Sequence, residues 1–119
     1  MNKDIDIVIY GATGFTGQLC VKYFQSQSLE IKWAIAGRNL EKLQTVSKNF
    51  APDIEILVAD SDDEAGLKDI CSRSKVVLST AGPFHRYGSK LVKACVENGS
   101  HYVDILSLIH ISEPTRLGA

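Results

Sequence analysis

A chain of 119 residues, 45% of them hydrophobic and 23% charged, is long enough to bury the core of one soluble globular domain and no more. Thirteen basic residues against fourteen acidic ones leave a net charge of −1, which offers no electrostatic footprint for nucleic acid or for an anionic membrane surface. The three cysteines, Cys20, Cys71 and Cys95, form no C-x-x-C pair and have no zinc-ligand spacing, so they read as reduced, buried thiols and not as a metal site.

Taken in chain order, residues 1–4 run directly into a strand, which leaves no room for a signal peptide, and the cytoplasm is the expected location. Residues 5–10 (IDIVIY) are nearly uniformly apolar, as a parallel strand buried on both faces should be. The glycine-rich segment that follows opens a helix, in which Phe15, Leu19 and Tyr23 fall on one face with Cys20 and Phe24 beside them. A second strand over 32–36 ends at Gly37-Arg38. Leu40, Leu43, Val46 and Phe50 then mark a second amphipathic helix, N-capped by Asn39 and stopped by Pro52. Residues 54–59 form a third strand closing on Asp60; even this run is far too short to span a bilayer. Ser61 and Glu64 have the S-x-x-E form of a capping box and open a short helix carrying Leu67, Ile70 and Cys71. Residues 75–80 make a fourth strand. A helix through Leu91, Val92, Cys95 and Val96 stops at Asn98-Gly99, and 101–105 form a fifth strand. Strict alternation of strand and helix predicts an α/β fold, a Rossmann-like parallel sheet of about five strands with helices on both faces.

The strongest chemical signal is Gly11-Ala12-Thr13-Gly14-Phe15-Thr16-Gly17. It follows a buried strand and opens a helix, the context in which such a turn binds a dinucleotide. Glycines let the backbone approach a pyrophosphate closely, and the helix N-terminus offers unpaired N–H groups and partial positive charge. The cofactor-binding residues expected here are Gly11, Thr13, Gly14, Phe15, Thr16 and Gly17.

The end of strand two supplies the second signal. NAD sites place a carboxylate there, whereas this chain has Gly37-Arg38-Asn39 and no acid until Glu41. Arg38 suits the 2′-phosphate of NADPH through its planar fork; the alternative is a solvated arginine at a strand end. Asp60 stands either at the adenine edge or as a helix-flanking carboxylate. In the loop after strand four, Ala81 and Gly82 are small enough for backbone to lie against the nicotinamide-side ribose. His85 and Tyr87 have the chemistry of an acid or base but no identifiable partner, so no catalytic residue is assigned, and Trp33 reads as core.

On these residues the chain resembles the saccharopine dehydrogenase-like oxidoreductase family. The resemblance spans residues 5–105 and rests on GATGFTG (11–17), WAIAGR (33–38) with LEKL (40–43), AGPF (81–84), Tyr87-Gly88, and KACVENG with YVDI (93–99 and 102–105). It implies an NADP-linked oxidoreductase that moves a hydride to or from an undefined substrate of lipid-related character, with no implication of lysine-pathway activity. In the family a second domain binds substrate and makes dimer contacts, and a full-length member associates with membranes or lipid droplets. Catalysis by this chain alone is therefore left open. The rival from another class is an NmrA-type regulatory module that senses NAD(P) without turnover.

From Leu106 the pattern breaks. Residues 106–116 (LSLIHISEPTR) are the translation of a common transposase sequencing-adapter end. The expectation is an incomplete dinucleotide-binding domain over 1–105, with 106–119 as non-native adapter read-through.

Overall fold

The computed structural model describes residues 4–27, 31–60, 62–80 and 85–104. Five strands and four helices alternate: β1 (Ile5–Tyr10), α1 (Phe15–Ser26), β2 (Trp33–Gly37), α2 (Leu40–Phe50), β3 (Glu55–Val58), α3 (Glu64–Arg73), β4 (Ser74–Ser79), α4 (His85–Asn98) and β5 (His101–Asp104). They form one parallel sheet in the order β3-β2-β1-β4-β5. The chain therefore steps outward from β1 through β2 to β3, returns across the sheet through α3, and continues outward from the other side of β1. The carboxyl ends of β1 and β4 flank the point where this direction reverses, where ligands of open α/β sheets bind.

Because successive side chains of a strand point to opposite faces, the sheet builds two cores. Val8 and Tyr10 of β1 pack with Ala34, Ala36, Leu57 and Val77 against Leu67, Ile70 and Cys71 of α3 and Leu91, Ala94 and Cys95 of α4. On the other face Ile9, Ile35 and Leu78 meet Val21 of α1 and Leu43 and Val46 of α2. The expected α/β architecture with helices on both faces is thus realised, with strand limits differing by a residue at most within the described part. Ile105, read as the end of β5, lies outside the described residues.

Two local expectations are corrected. The Phe15–Leu19–Tyr23 face of α1 does not pack on the sheet: these side chains are 80%, 49% and 61% exposed. Gly17 and Val21 are the buried residues of the helix, because only small side chains let α1 lie so close to the turn before it. Nor does Glu64 complete a capping box. Asp63 caps α3, its carboxylate accepting from the Gly66 N–H at 3.0 Å, and Glu64 is the first helical residue. The residues before it are taken up by a turn in which Asp62 N–H donates to the Asp60 carboxylate and Asp63 N–H to the Asp60 carbonyl. Ser61 lies outside the described residues.

Other signals hold. Asn39 caps α2 by accepting from Lys42 N–H at 3.0 Å. Gly99, at φ 72°, takes the left-handed conformation that ends α4. Trp33 is half-buried and its ring centroid lies 5.4 Å from that of Phe24. Cys71 and Cys95 are buried with their sulfurs 3.3 Å apart across α3 and α4, and Cys20 is half-buried, its thiol pushed up by that burial. At the amino ends of the strands Arg73 pairs with both Asp4 and Glu55, and its hydrogen bond to Asp4 holds that carboxyl below the usual range. Among the described residues no helix is long and apolar enough to cross a membrane.

Tyr10 ties the sheet together at its carboxyl end. Its hydroxyl donates to the Ala59 carbonyl at 2.9 Å, reaching from β1 past β2 to the end of β3. Burial, and secondarily the Asp60 charge, push this phenol up to about 12 from an ordinary 10.0. A folded-state pKa raised above the unfolded one gives a contribution fully present below the unfolded value and lost as pH climbs through the folded value. Tyr10→Phe is accordingly expected to lower stability by about 1–2 kcal/mol at neutral pH, through the unpaired carbonyl. It should also remove part of the wild-type loss of stability above pH 10.0. Denaturant midpoints measured across that range check both; a variant as stable as wild type at neutral pH contradicts the hydrogen bond's role.

Candidate cofactor site

The site is assembled from the carboxyl ends of β1, β2, β3 and β4 and the N-terminus of α1. At the end of β1 the chain turns through Gly11, whose φ of 85° is the left-handed conformation that a side chain disfavours. Gly11 N–H and Ala12 N–H both donate to the Ala36 carbonyl at the end of β2, at 2.8 and 3.3 Å. Gly14 is the N-cap of α1 in extended conformation, and its N–H donates back to the Gly11 carbonyl at 3.2 Å.

Four carbonyls along this turn are already occupied by protein donors. Those of Tyr10 and Gly11 accept from Thr80, that of Thr13 from Gln18 Nε2 at 2.8 Å, and that of Gly14 from Gln18 N–H at 2.9 Å. By contrast, no side chain caps the start of α1, and its first turn holds no acidic residue. The α1 terminus therefore combines orphan N–H groups and the positive end of the helix dipole with neighbouring carbonyls already occupied by protein donors, an arrangement suited to phosphate oxygens.

The two later glycines have different causes. A methyl group on Gly17 would overlap the Gly11 carbonyl oxygen and come within 2.6 Å of Ala12 Cα, so glycine there is required by the packing of α1 on the turn. A methyl on Gly14 would meet only the Gly11 oxygen at 3.7 Å, an ordinary contact. The fold leaves room for a side chain at Gly14, which is exposed; a ligand approaching the backbone would not. Thr13 and Thr16 are half-buried beside it, and Phe15 projects from the start of the helix.

Arg38 follows β2 directly, between the Gly-rich turn and the end of β3. Ala36 lies in register with Tyr10, and the Gly37 carbonyl accepts from Ala59 N–H at 2.9 Å. The Arg38 side chain is exposed and, among the described residues, forms no ion pair, which leaves its fork available to an anion. Asp60 is exposed at the end of β3, and its carboxylate accepts from Asp62 N–H at 3.2 Å. That bond is the helix-flanking role; Asp60 itself follows β3 at the same carboxyl edge of the sheet at which Arg38 follows β2. Ala81 and Gly82 lie outside the described residues, as do the side chains of His85 and Tyr87.

The hydrogen bonds of Thr80, Gln18 and Tyr10 are not legible in the sequence pattern. Each is made to a backbone carbonyl, and such bonds leave no spacing signature. A described groove of about 510 Å³ lined by Lys32, Trp33, Ile54 and Glu55 opens at the amino ends of the strands, away from this site.

Known proteins resemble this chain in sequence and in fold. The family model described as the saccharopine dehydrogenase NADP binding domain matches residues 7–117, which takes in the Gly-rich turn, Arg38 and the segment read as adapter-derived. A trans-acting enoyl reductase of Mycobacterium ulcerans (strain Agy99) is 37% identical over 106 residues, covering 87% of this chain and 25% of that protein. A lipid droplet localized protein of Caenorhabditis elegans is 40% identical over 109 residues, covering 84% of this chain and 26% of that one. The chain thus spans about a quarter of the length of the curated relatives it matches. Among solved structures, the apo saccharopine dehydrogenase (L-Glu forming) of Saccharomyces cerevisiae superposes with a TM-score of 0.71 at 19% identity, over 84% of this chain and 21% of that one. A short-chain dehydrogenase/reductase of Veillonella parvula in complex with NADP gives 0.66 at 16% identity, over 84% of this chain and 46% of that one. Both show the shared fold.

Proposed function

The chain belongs to the saccharopine dehydrogenase NADP-binding domain family, and from that premise we propose that it is the cofactor-holding part of a longer NADPH-dependent reductase. The observation that carries this reading is the uncapped α1 terminus beside a turn in which the Tyr10, Gly11, Thr13 and Gly14 carbonyls are already taken by protein donors. In this reading the amides of Thr13, Phe15, Thr16 and Gly17 hold the pyrophosphate, Gly14 N–H being taken by the Gly11 carbonyl while its bare backbone allows the close approach, and Arg38 pairs with the 2′-phosphate. Asp60 meets the adenine edge, and Ala81 and Gly82 border the nicotinamide-side ribose. NADPH, when bound, supplies a hydride; the residues of this chain bind and orient it and exclude water from its phosphates.

The substrate is proposed to be an enoyl or carbonyl group on a lipid-like molecule, and the longer protein to work at a lipid surface reached from the cytoplasm. The names of the mycobacterial and nematode relatives support both points. Substrate contacts and homodimer contacts are assigned to the three quarters of the relatives' length that this chain does not span. The sensing-module alternative gains no support from the relatives reported above. Residues 106–119 are proposed to be adapter-derived on the peptide match; the family match running to residue 117 weighs against it, and the coding sequence beyond codon 105 decides.

The test of the division of labour is turnover. The 119-residue chain mixed with NADPH and enoyl or carbonyl lipids is expected to bind the cofactor without oxidising it, as followed by nicotinamide absorbance. Oxidation that depends on the lipid would show that the reacting groups lie in this chain.

A further inference from the structure

The switch-point end of β4 carries a side chain that grips the phosphate-binding turn from behind. Thr80 immediately follows Ser79, which lies in register with Tyr10, and its N–H donates to the Tyr10 carbonyl at 2.9 Å. Its hydroxyl, nearly buried, sits 3.0 Å from that same oxygen and 2.9 Å from the oxygen of Gly11, donating one hydrogen between the two. We propose that Thr80 is a positioning residue for NADPH, its hydroxyl holding the Gly11–Ala12 peptide in the orientation that keeps the carbonyl away from the pyrophosphate.

The physical reason lies in the freedom of that peptide. Gly11 occupies left-handed backbone space, and with no Cβ it has little steric resistance to rotation of the adjoining peptide plane. The plane is gripped at its N–H end by the Ala36 carbonyl, at a longish 3.3 Å. At its oxygen it is gripped by Gly14 N–H at 3.2 Å and by the shorter Thr80 hydroxyl bond. If the carbonyl swung outward, its partial negative charge would face the phosphates that the α1 amides attract. It would also release Gly14 N–H, loosening the N-cap. With its hydroxyl nearly buried and bonded to the Tyr10 and Gly11 carbonyls, Thr80 acts through Gly11 and Gly14 and not as a ligand of the cofactor.

The inference rests on the proposed seating of the pyrophosphate at this turn, and the test separates the two. Wild type, Thr80→Val and Thr80→Ser chains are titrated with NADPH and with adenosine 2′-monophosphate, which carries the Arg38-directed phosphate but has nothing to place at the turn. Thr80→Val keeps the shape and deletes the hydroxyl; its NADPH affinity is expected to fall about five- to tenfold. Its affinity for adenosine 2′-monophosphate should stay at the wild-type value, and Thr80→Ser should restore NADPH binding. Unchanged NADPH affinity in Thr80→Val, or failure of serine to restore it, would overturn the role of the hydroxyl. An equal loss for both ligands would show a general structural defect and overturn positioning. Wild-type affinity no greater for NADPH than for adenosine 2′-monophosphate would instead remove the pyrophosphate seat itself.

Discussion

Gly17→Ala is expected to lose NADPH affinity by about a hundredfold or more and to be measurably less stable than wild type. Alanine is the better helix former by roughly 1 kcal/mol, so at a neutral helical position the change would stabilise. Here the added methyl meets backbone, the Gly11 carbonyl oxygen and Ala12 Cα, and no side-chain rotation relieves it. The start of α1 must move away from the turn, and movements of that kind in packed interiors cost about 1–3 kcal/mol. They also carry the α1 amides off the positions that face the phosphates. Gly14→Ala dissects the two effects. Its methyl has room, so stability should hold while NADPH affinity falls, because only an approaching ligand contests that space. Thermal melts with and without NADPH report both variants. A Gly17→Ala chain that binds like wild type would mean that α1 does not need its close seat.

Arg38→Asp carries the second large effect. The arginine is exposed, and its removal leaves no described ion pair broken, so the stability change should stay within about 0.5 kcal/mol. Against NADPH the variant loses a charge-assisted pair and gains repulsion between two anions, which together are expected to weaken binding about a hundredfold. NADH, which lacks the 2′-phosphate, should weaken by no more than a few-fold from the altered local field. Equal losses for both cofactors would place Arg38 outside the 2′-phosphate site.

The sequence was most informative where one residue type solves one local problem. The buried β-branched strands, the stop at Gly99 and the cap at Asn39 are all local, and each stands in the structure within a residue of its expected place. The face of α1 was not legible, because the helix is apolar on two sides. Phe15, Leu19 and Tyr23 recur at a spacing of four, as do Gly17 and Val21, and closeness to the turn, which periodicity does not report, selects the smaller pair. The same limit applies to the site. Gly11 and Gly17 announce a tight turn, and Arg38 is conspicuous because it stands where an acid would otherwise be. Thr80 and Tyr10 act between strand ends, and the neighbours they meet are set by the order β3-β2-β1-β4-β5 and not by sequence distance. Asp60 stayed double-edged for a related reason: its carboxylate serves its own turn, at a strand end that borders the Arg38 edge of the sheet.

The most direct measurement is an equilibrium titration of the wild-type chain with NADPH and with NADH under one buffer and salt condition. A site built from the Gly11–Gly17 turn and Arg38 predicts saturable binding of both, with NADPH tighter by about tenfold or more. Equal affinities, or no binding of NADPH, would contradict it.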